Sequence, residues 1–130
     1  MGARAAIILV ATIAAVVASA GTAAATSLHT HACPNPHIRR VSKLRAGLAP
    51  GGDPAYAADC GGAKDTAQTY VHSRCSRASV MFRIHQGRYE VCNDETDTCG
   101  LHRVFSRKRA QIVCEARLNP SALVLFNYVF

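Results

Sequence analysis

Six cysteines constrain this chain more than any other feature: Cys33, Cys60, Cys75, Cys92, Cys99 and Cys114. An even number of thiols in a short chain argues for a disulfide framework, although spacing alone does not select the pairing. The competing use of clustered cysteines is a zinc site. No pair here has the C-x2-C spacing of zinc ribbons, so no metal ligand is expected among them.

The redox compartment follows from the N-terminus. Residues 2–25 read "GARAAIILVATIAAVVASAGTAAA", with Arg4 first, then an apolar run, then small residues. That order is the pattern of a secretory signal peptide. Ala18-Ser19-Ala20 and Ala23-Ala24-Ala25 both offer small residues at the two positions a cut requires. The run is short and alanine-rich for an anchor, which needs roughly 20 apolar residues to span. Residues 1–25 are therefore expected to leave. The remaining chain is expected to be secreted and extracellular, with no membrane span and all six cysteines oxidised. Each bridge would contribute about 2–4 kcal/mol, a large share of the stability of one small domain.

The formal net charge is +7, and one less, +6, once Arg4 is removed. The cations fall in groups: Arg39, Arg40, Lys43 and Arg45; then Arg74, Arg77, Arg83 and Arg88; then Arg103, Arg107, Lys108 and Arg109. Acidic residues gather between Glu90 and Asp97. A basic secreted protein meets sulfated glycans, anionic membranes or acidic proteins. The "SRKR" run is not a nuclear signal in a chain with a secretory leader, and no nucleic acid partner is expected.

Along the chain, residues 26–32 read as a polar arm. Two prolines in "PNPHIRRVSKLRAG" forbid a helix at its start and leave the remainder extended or turned. "AGLAPGGDPAYAADCGG", residues 46–62, reads as a flexible insertion or long loop tied down by Cys60. "ASVMFRIH" places Val80, Phe82 and Ile84 on a period of two, a half-buried strand. "HQGR" supplies a turn at Gly87, and "RYEVC" a second strand through Tyr89 and Val91. The loop "NDETDT" offers Asp94 or Thr96 as the cap of a following helix. Residues 100–111 fit a helical face through Leu101, Val104 and Phe105, whereas "AQIVCEARL" also alternates as a strand. A single helix from Cys99 to Cys114 would set its ends about 22 Å apart. A disulfide needs Cα atoms within about 7 Å. Either those two cysteines pair elsewhere or the chain turns back. The tail "SALVLFNYVF" is too apolar to hang free, and packing at home as an extra strand is favoured over a partner.

Catalytic patterns are missing. The chain has no G-x-S-x-G, no H-E-x-x-H and no Gly-rich phosphate loop. The six histidines are dispersed, and surface or half-buried positions suit them better than catalysis. Asp94, Glu95 and Asp97 read as a solvated capping loop rather than a cation site. The chain is expected not to be an enzyme and to need no cofactor.

The segment "TYVHSRCSRASVMFRIHQGRYEVCND" resembles the second half of a CC chemokine. In that family a Tyr precedes the third cysteine, and C-S-x-x-x-V-x-F, a basic turn and R-x-V-C follow. Tyr70, Cys75, Ser76, Val80, Phe82, Arg88 or Tyr89, Val91 and Cys92 match those features. The resemblance implies an α+β, disulfide-rich domain over residues 26–118: a three-stranded antiparallel sheet crossed by a C-terminal helix, with an apolar extension at 119–130. Val80, Phe82, Ile84 and Val91 would lie in its core. It also implies that Cys75 and Cys92 bridge backward to Cys33 and Cys60, with Cys99–Cys114 as an extra bond. The front half departs from the family, because Cys33 has no close neighbour and Cys60 sits in an insertion. Functionally, the resemblance implies a binding protein. Arg39, Arg40, Lys43, Arg45, Arg107, Lys108 and Arg109 would hold sulfated glycosaminoglycans. The N-loop around His37, Ile38, Arg39 and Arg40 would engage a seven-helix receptor, as in chemotaxis. The extra segments equally resemble virally encoded mimics, or chemokine-fold subunits that dock a partner glycoprotein at a viral surface. A cationic antimicrobial protein fits less well, because no amphipathic face is evident.

Overall fold

A computed structural model describes residues 28–86 and 91–130. The expected signal segment and the expected turn at Gly87 to Tyr89 lie outside those residues. The chain is mostly β. The described residues form one antiparallel sheet of six strands in the order β1-β2-β6-β5-β4-β3. The strands are β1 (His29–Ala32), β2 (Val41–Leu48), β3 (Cys92–Asn93), β4 (Asp97–Ser106), β5 (Arg109–Ala116) and β6 (Asn119–Val129). Helices α1 (Cys60–Val71) and α2 (Ala78–Gln86) lie between β2 and β3 in the chain. The expected three-stranded sheet with a C-terminal helix is therefore incorrect.

The error at residues 100–111 has a clear cause. Leu101 to Gln111 hold no helix; they belong to a β4–β5 hairpin whose two-residue turn is Arg107-Lys108, with Ser106 paired to Arg109. Two register shifts in β4, after Leu101 and after Val104, blur the period-two alternation over that stretch. Cys99 and Cys114 face each other directly in this hairpin, 4.1 Å apart at Cα, and are joined. The chain turns back, as the distance argument required of any pairing between them.

The tail is the centre of the sheet. β6 lies between β2 and β5, and Val124, Phe126 and Tyr128 alternate into the core. On the same face, β5 contributes Ala110, Ile112 and Cys114, and β2 contributes Val41, Leu44 and Ala46. Val41 and Leu44 are three apart and would point oppositely in a regular strand. A register shift between Ser42 and Arg45, with Lys43 at φ 52°, lets both face inward. Where β1 crosses β2, a Cβ on Gly47 would sit 2.0 Å from the His29 carbonyl oxygen, so only glycine admits that approach.

Helix α1 starts at Asp59, whose carboxylate accepts from the Gly62 amide at 2.7 Å. Ala63, Ala67 and Tyr70 line its buried side, at helical spacing. The small alanines let the helix sit close to the sheet, but they carry little hydrophobic signal; the helix begins inside the loop expected at residues 46–62 and runs on to Val71. Tyr70 then reaches the sheet and packs edge-on against Phe126 and Tyr128, both at 5.2 Å between ring centroids. Its hydroxyl donates to the Cys75 carbonyl at 2.7 Å. Burial, with smaller contributions from Tyr128 and Asp94, pushes its pKa far above the ordinary phenol value. Tyr70 is a neutral structural donor.

The expected strand at residues 78–85 is helix α2. Ala78, Met81 and Phe82 share its inward side, and Ser79 and Arg83 its exposed one. Phe82 packs on Phe130, whose ring packs edge-on in turn against Tyr128. Val80 and Phe82 are half-buried, Val91 is 51% exposed, and the Ile84 side chain is outside the described residues. Of the four expected core residues, Val80 packs against the margin of the core, Phe82 packs on Phe130, and Val91 lies outside the core.

The disulfides join Cys33–Cys60, Cys75–Cys92 and Cys99–Cys114. Cys75 and Cys92 bridge each other, not backward, which overturns the chemokine pairing. Only the third bond matches that expectation. Non-reducing peptide mapping should return these three pairs. In urea unfolding, Phe126→Ala should cost about 3–5 kcal/mol through the cavity it leaves. Tyr70→Phe, which orphans the Cys75 carbonyl, should cost about 1–2 kcal/mol.

Candidate functional site

Strand β6 brings the two separated basic groups to one end of the sheet. The Val129 amide donates to the Arg40 carbonyl at 3.0 Å, and the next amide, Phe130, donates to the Lys108 carbonyl at 2.8 Å. Arg40 and Lys108 therefore flank the same two residues from opposite sides, on backbones about 10 Å apart. Arg39 and Arg40 form the turn into β2; Arg107 and Lys108 form the turn into β5, followed by Arg109. These five side chains are exposed, as are Lys43 and Arg103.

Of the expected glycan-binding set, Arg45 differs. It is half-buried, and its guanidinium donates to the Thr30 hydroxyl at 2.9 Å and the Thr30 carbonyl at 2.8 Å. It fastens β1 to β2. Of the expected receptor-contacting residues, His37, Arg39 and Arg40 are exposed, whereas Ile38 packs against the core.

The backbone here is unusual. His37, Arg40 and Lys43 have φ of 53°, 71° and 52°, the left-handed region that favours glycine. Such residues cost of the order of 1 kcal/mol or more each and tend to gather where a site requires them. The hairpin tip adds apolar surface: Val104, Phe105 and Val129 are 41%, 47% and 43% exposed. The Arg109 guanidinium lies 6.0 Å over the Phe105 ring.

Asp94, Asp97 and Glu115 lie at the opposite end of the strands. Asp97 begins β4 opposite Ala116, and Glu115 faces Thr98. The Asp53 amide donates to the hydroxyl of Ser121 near the start of β6. Asp94, in the loop between β3 and β4, accepts at Oδ1 from the amides of Thr96 and Asp97, at 2.9 and 2.7 Å. The expected capping chemistry is present, but it turns the chain into a strand, not a helix. Asp94 and Asp97 are buried, contrary to the solvated loop expected. Asp94, with Asn93, borders a shallow groove against Gln68, His72 and Arg74 of the helical layer.

Burial raises the Asp97 pKa above its ordinary value of 3.8. The Asp94 charge adds to this, against lowering by the Thr96 hydroxyl and Arg117. A raised carboxyl pKa gives a stabilising contribution that is full below the unfolded value and lost as pH rises through the folded one. Asp97→Asn should therefore flatten the fall in unfolding free energy just above the ordinary carboxylate range. Urea titrations at a series of pH values check this.

No protein-family model, curated protein or solved structure matches this chain.

Proposed function

We propose that this protein is a secreted polyanion-binding module, and that its ligand is a sulfated glycan chain lying across the cationic end of the sheet. One observation carries the reading: the consecutive amides of Val129, which ends β6, and Phe130 hold the Arg40 and Lys108 carbonyls, joining two basic groups that are far apart in sequence. A polyanion facing several clustered cations gains a small attraction from each, on a surface too exposed for any single pair to bind tightly. Asp97 and Glu115 lie at the far end of their strands, away from this group. Three paired disulfides suit an oxidising medium, where sulfated glycans occur. Among the described residues no helix is long and apolar enough to cross a membrane.

Exposed Val104, Phe105 and Val129 favour a second reading, an anionic membrane surface met by the same tip. A seven-helix receptor or a partner glycoprotein stays an expectation of the sequence, because the chemokine fold it was inferred from is not the fold observed.

Heparin chromatography tests the proposal. Replacing Arg39, Arg40 and Lys108 with alanine removes cations from both sides of β6. Replacing Lys64, Arg74 and Arg117 removes equal charge elsewhere. The first variant should elute at clearly lower salt than the second, and retention of the wild type should fall steeply over the range where the screening length drops below about 8–10 Å. Equal elution of the two variants would reduce the site to nonspecific charge. Competition by phosphatidylserine vesicles as strong as by heparin of equal charge would favour the membrane reading.

A further inference from the structure

The three disulfides are not equivalent. Cys75, Cys92, Cys99 and Cys114 are at most 1% exposed, inside the core between the sheet and the helices. Cys33 and Cys60 are only half-buried, at the margin of that core. Cys33–Cys60 also has a neighbour with acid–base chemistry. The Nε2 of His31 lies 3.6 Å from Cys60 Sγ and donates to it when that nitrogen carries the proton. His31 is exposed on the edge strand β1, paired opposite Ala46. Cys60 is in addition the first residue of α1, a twelve-residue helix, where the helix field favours negative charge. Asp59, the helix cap, precedes Cys60, and its carboxylate is engaged with the Gly62 amide. Lys64 lies one turn further along α1.

We propose that Cys33–Cys60 is a thiol-exchange site, opened by a low-molecular-weight thiol that becomes bonded to Cys33. The incoming thiolate attacks Cys33 Sγ. A new sulfur–sulfur bond forms there as the Cys33–Cys60 bond breaks, and its electron pair leaves on Cys60 Sγ. That thiolate accepts the His31 hydrogen bond and takes its proton from the imidazolium or from water. No net oxidant or reductant is consumed, since one disulfide replaces another. The direction of attack follows from the leaving group: exchange is faster when the departing sulfur is the better stabilised thiolate, and a helix start beside an imidazole is where thiolates are stabilised. Half-burial admits a small thiolate where the other two bridges exclude it. Once open, β1 is held by its four-residue ladder to β2 and by the Arg45–Thr30 bonds, so the attachment of the N-terminal strand to α1 comes under thiol control.

Glutathione at limiting concentration tests this on the whole folded chain, with iodoacetamide quenching and peptide mapping. Glutathione should be recovered on Cys33 and the alkyl group on Cys60, with Cys75–Cys92 and Cys99–Cys114 intact. An H31Q variant changes an exposed strand residue and should fold normally. Its opening rate should fall about three- to tenfold at fixed thiolate concentration. Three results would each overturn the proposal: glutathione on Cys60, opening of either buried bridge at a comparable rate, or an unchanged rate in H31Q. None of these outcomes bears on heparin retention, so the two proposals fail separately.

Discussion

The last strand of the chain holds the architecture together. β6 is bonded along one side to β2 and along the other to β5, so every contact between the N-terminal strands and the β3–β4–β5 meander within the sheet passes through it. Its alternate residues Val124, Phe126 and Tyr128 face the core and receive Tyr70 from α1, while Phe130 beyond it receives Phe82 from α2. Edge-on aromatic packing of this kind adds to simple burial and fixes how the helices sit. Remove β6 and the helices lose their floor, and the two basic groups lose their neighbour.

The same strand explains the charge distribution. Antiparallel order sends the turns into β2 and β5 to one end of the sheet, and the turn between β5 and β6 to the other. Arg39, Arg40, Arg107 and Lys108 follow the first; Glu115 and Asp97 follow the second, where Arg117 also lies and donates to the Glu95 carbonyl. Three non-glycine residues, His37, Arg40 and Lys43, hold strained backbone at or leading into the cationic end. A chain selected for stability alone would place glycine or asparagine there. Lys43 also serves the core, because the bulge it occupies turns Leu44 inward. Arg45, two residues on, shows that proximity in sequence does not make a cation free: it is consumed in holding β1.

Local pattern was ambiguous where elements are short or small. Val80, Phe82 and Ile84 alternate as a strand would, yet Ala78, Met81 and Phe82 fit a helix equally well in a window of nine residues. Helix α1 was missed because its buried stripe begins with two alanines. The capping oxygen of Asp59 and the spacing of Ala63, Ala67 and Tyr70 were the available signals. In residues 100–111 two bulges disturbed the alternation that would have marked a strand. The matching residues around Cys75 and Cys92 resembled a chemokine hairpin, but here Cys75 and Cys92 close a loop containing a helix.

Some properties were set by the chain itself, whatever its fold. Six cysteines in even number call for oxidised partners, clustered arginines and lysines call for an anionic partner or water, and an apolar tail must be covered. These depend only on composition and local chemistry. Tertiary structure decided which cysteines meet, where the tail lies, and which cations are free. Those outcomes depend on contacts between residues tens of positions apart, such as Arg40 with Val129 or Cys33 with Cys60. Such contacts form only when strand order and register are chosen by the whole core at once, and no short window of sequence contains that information.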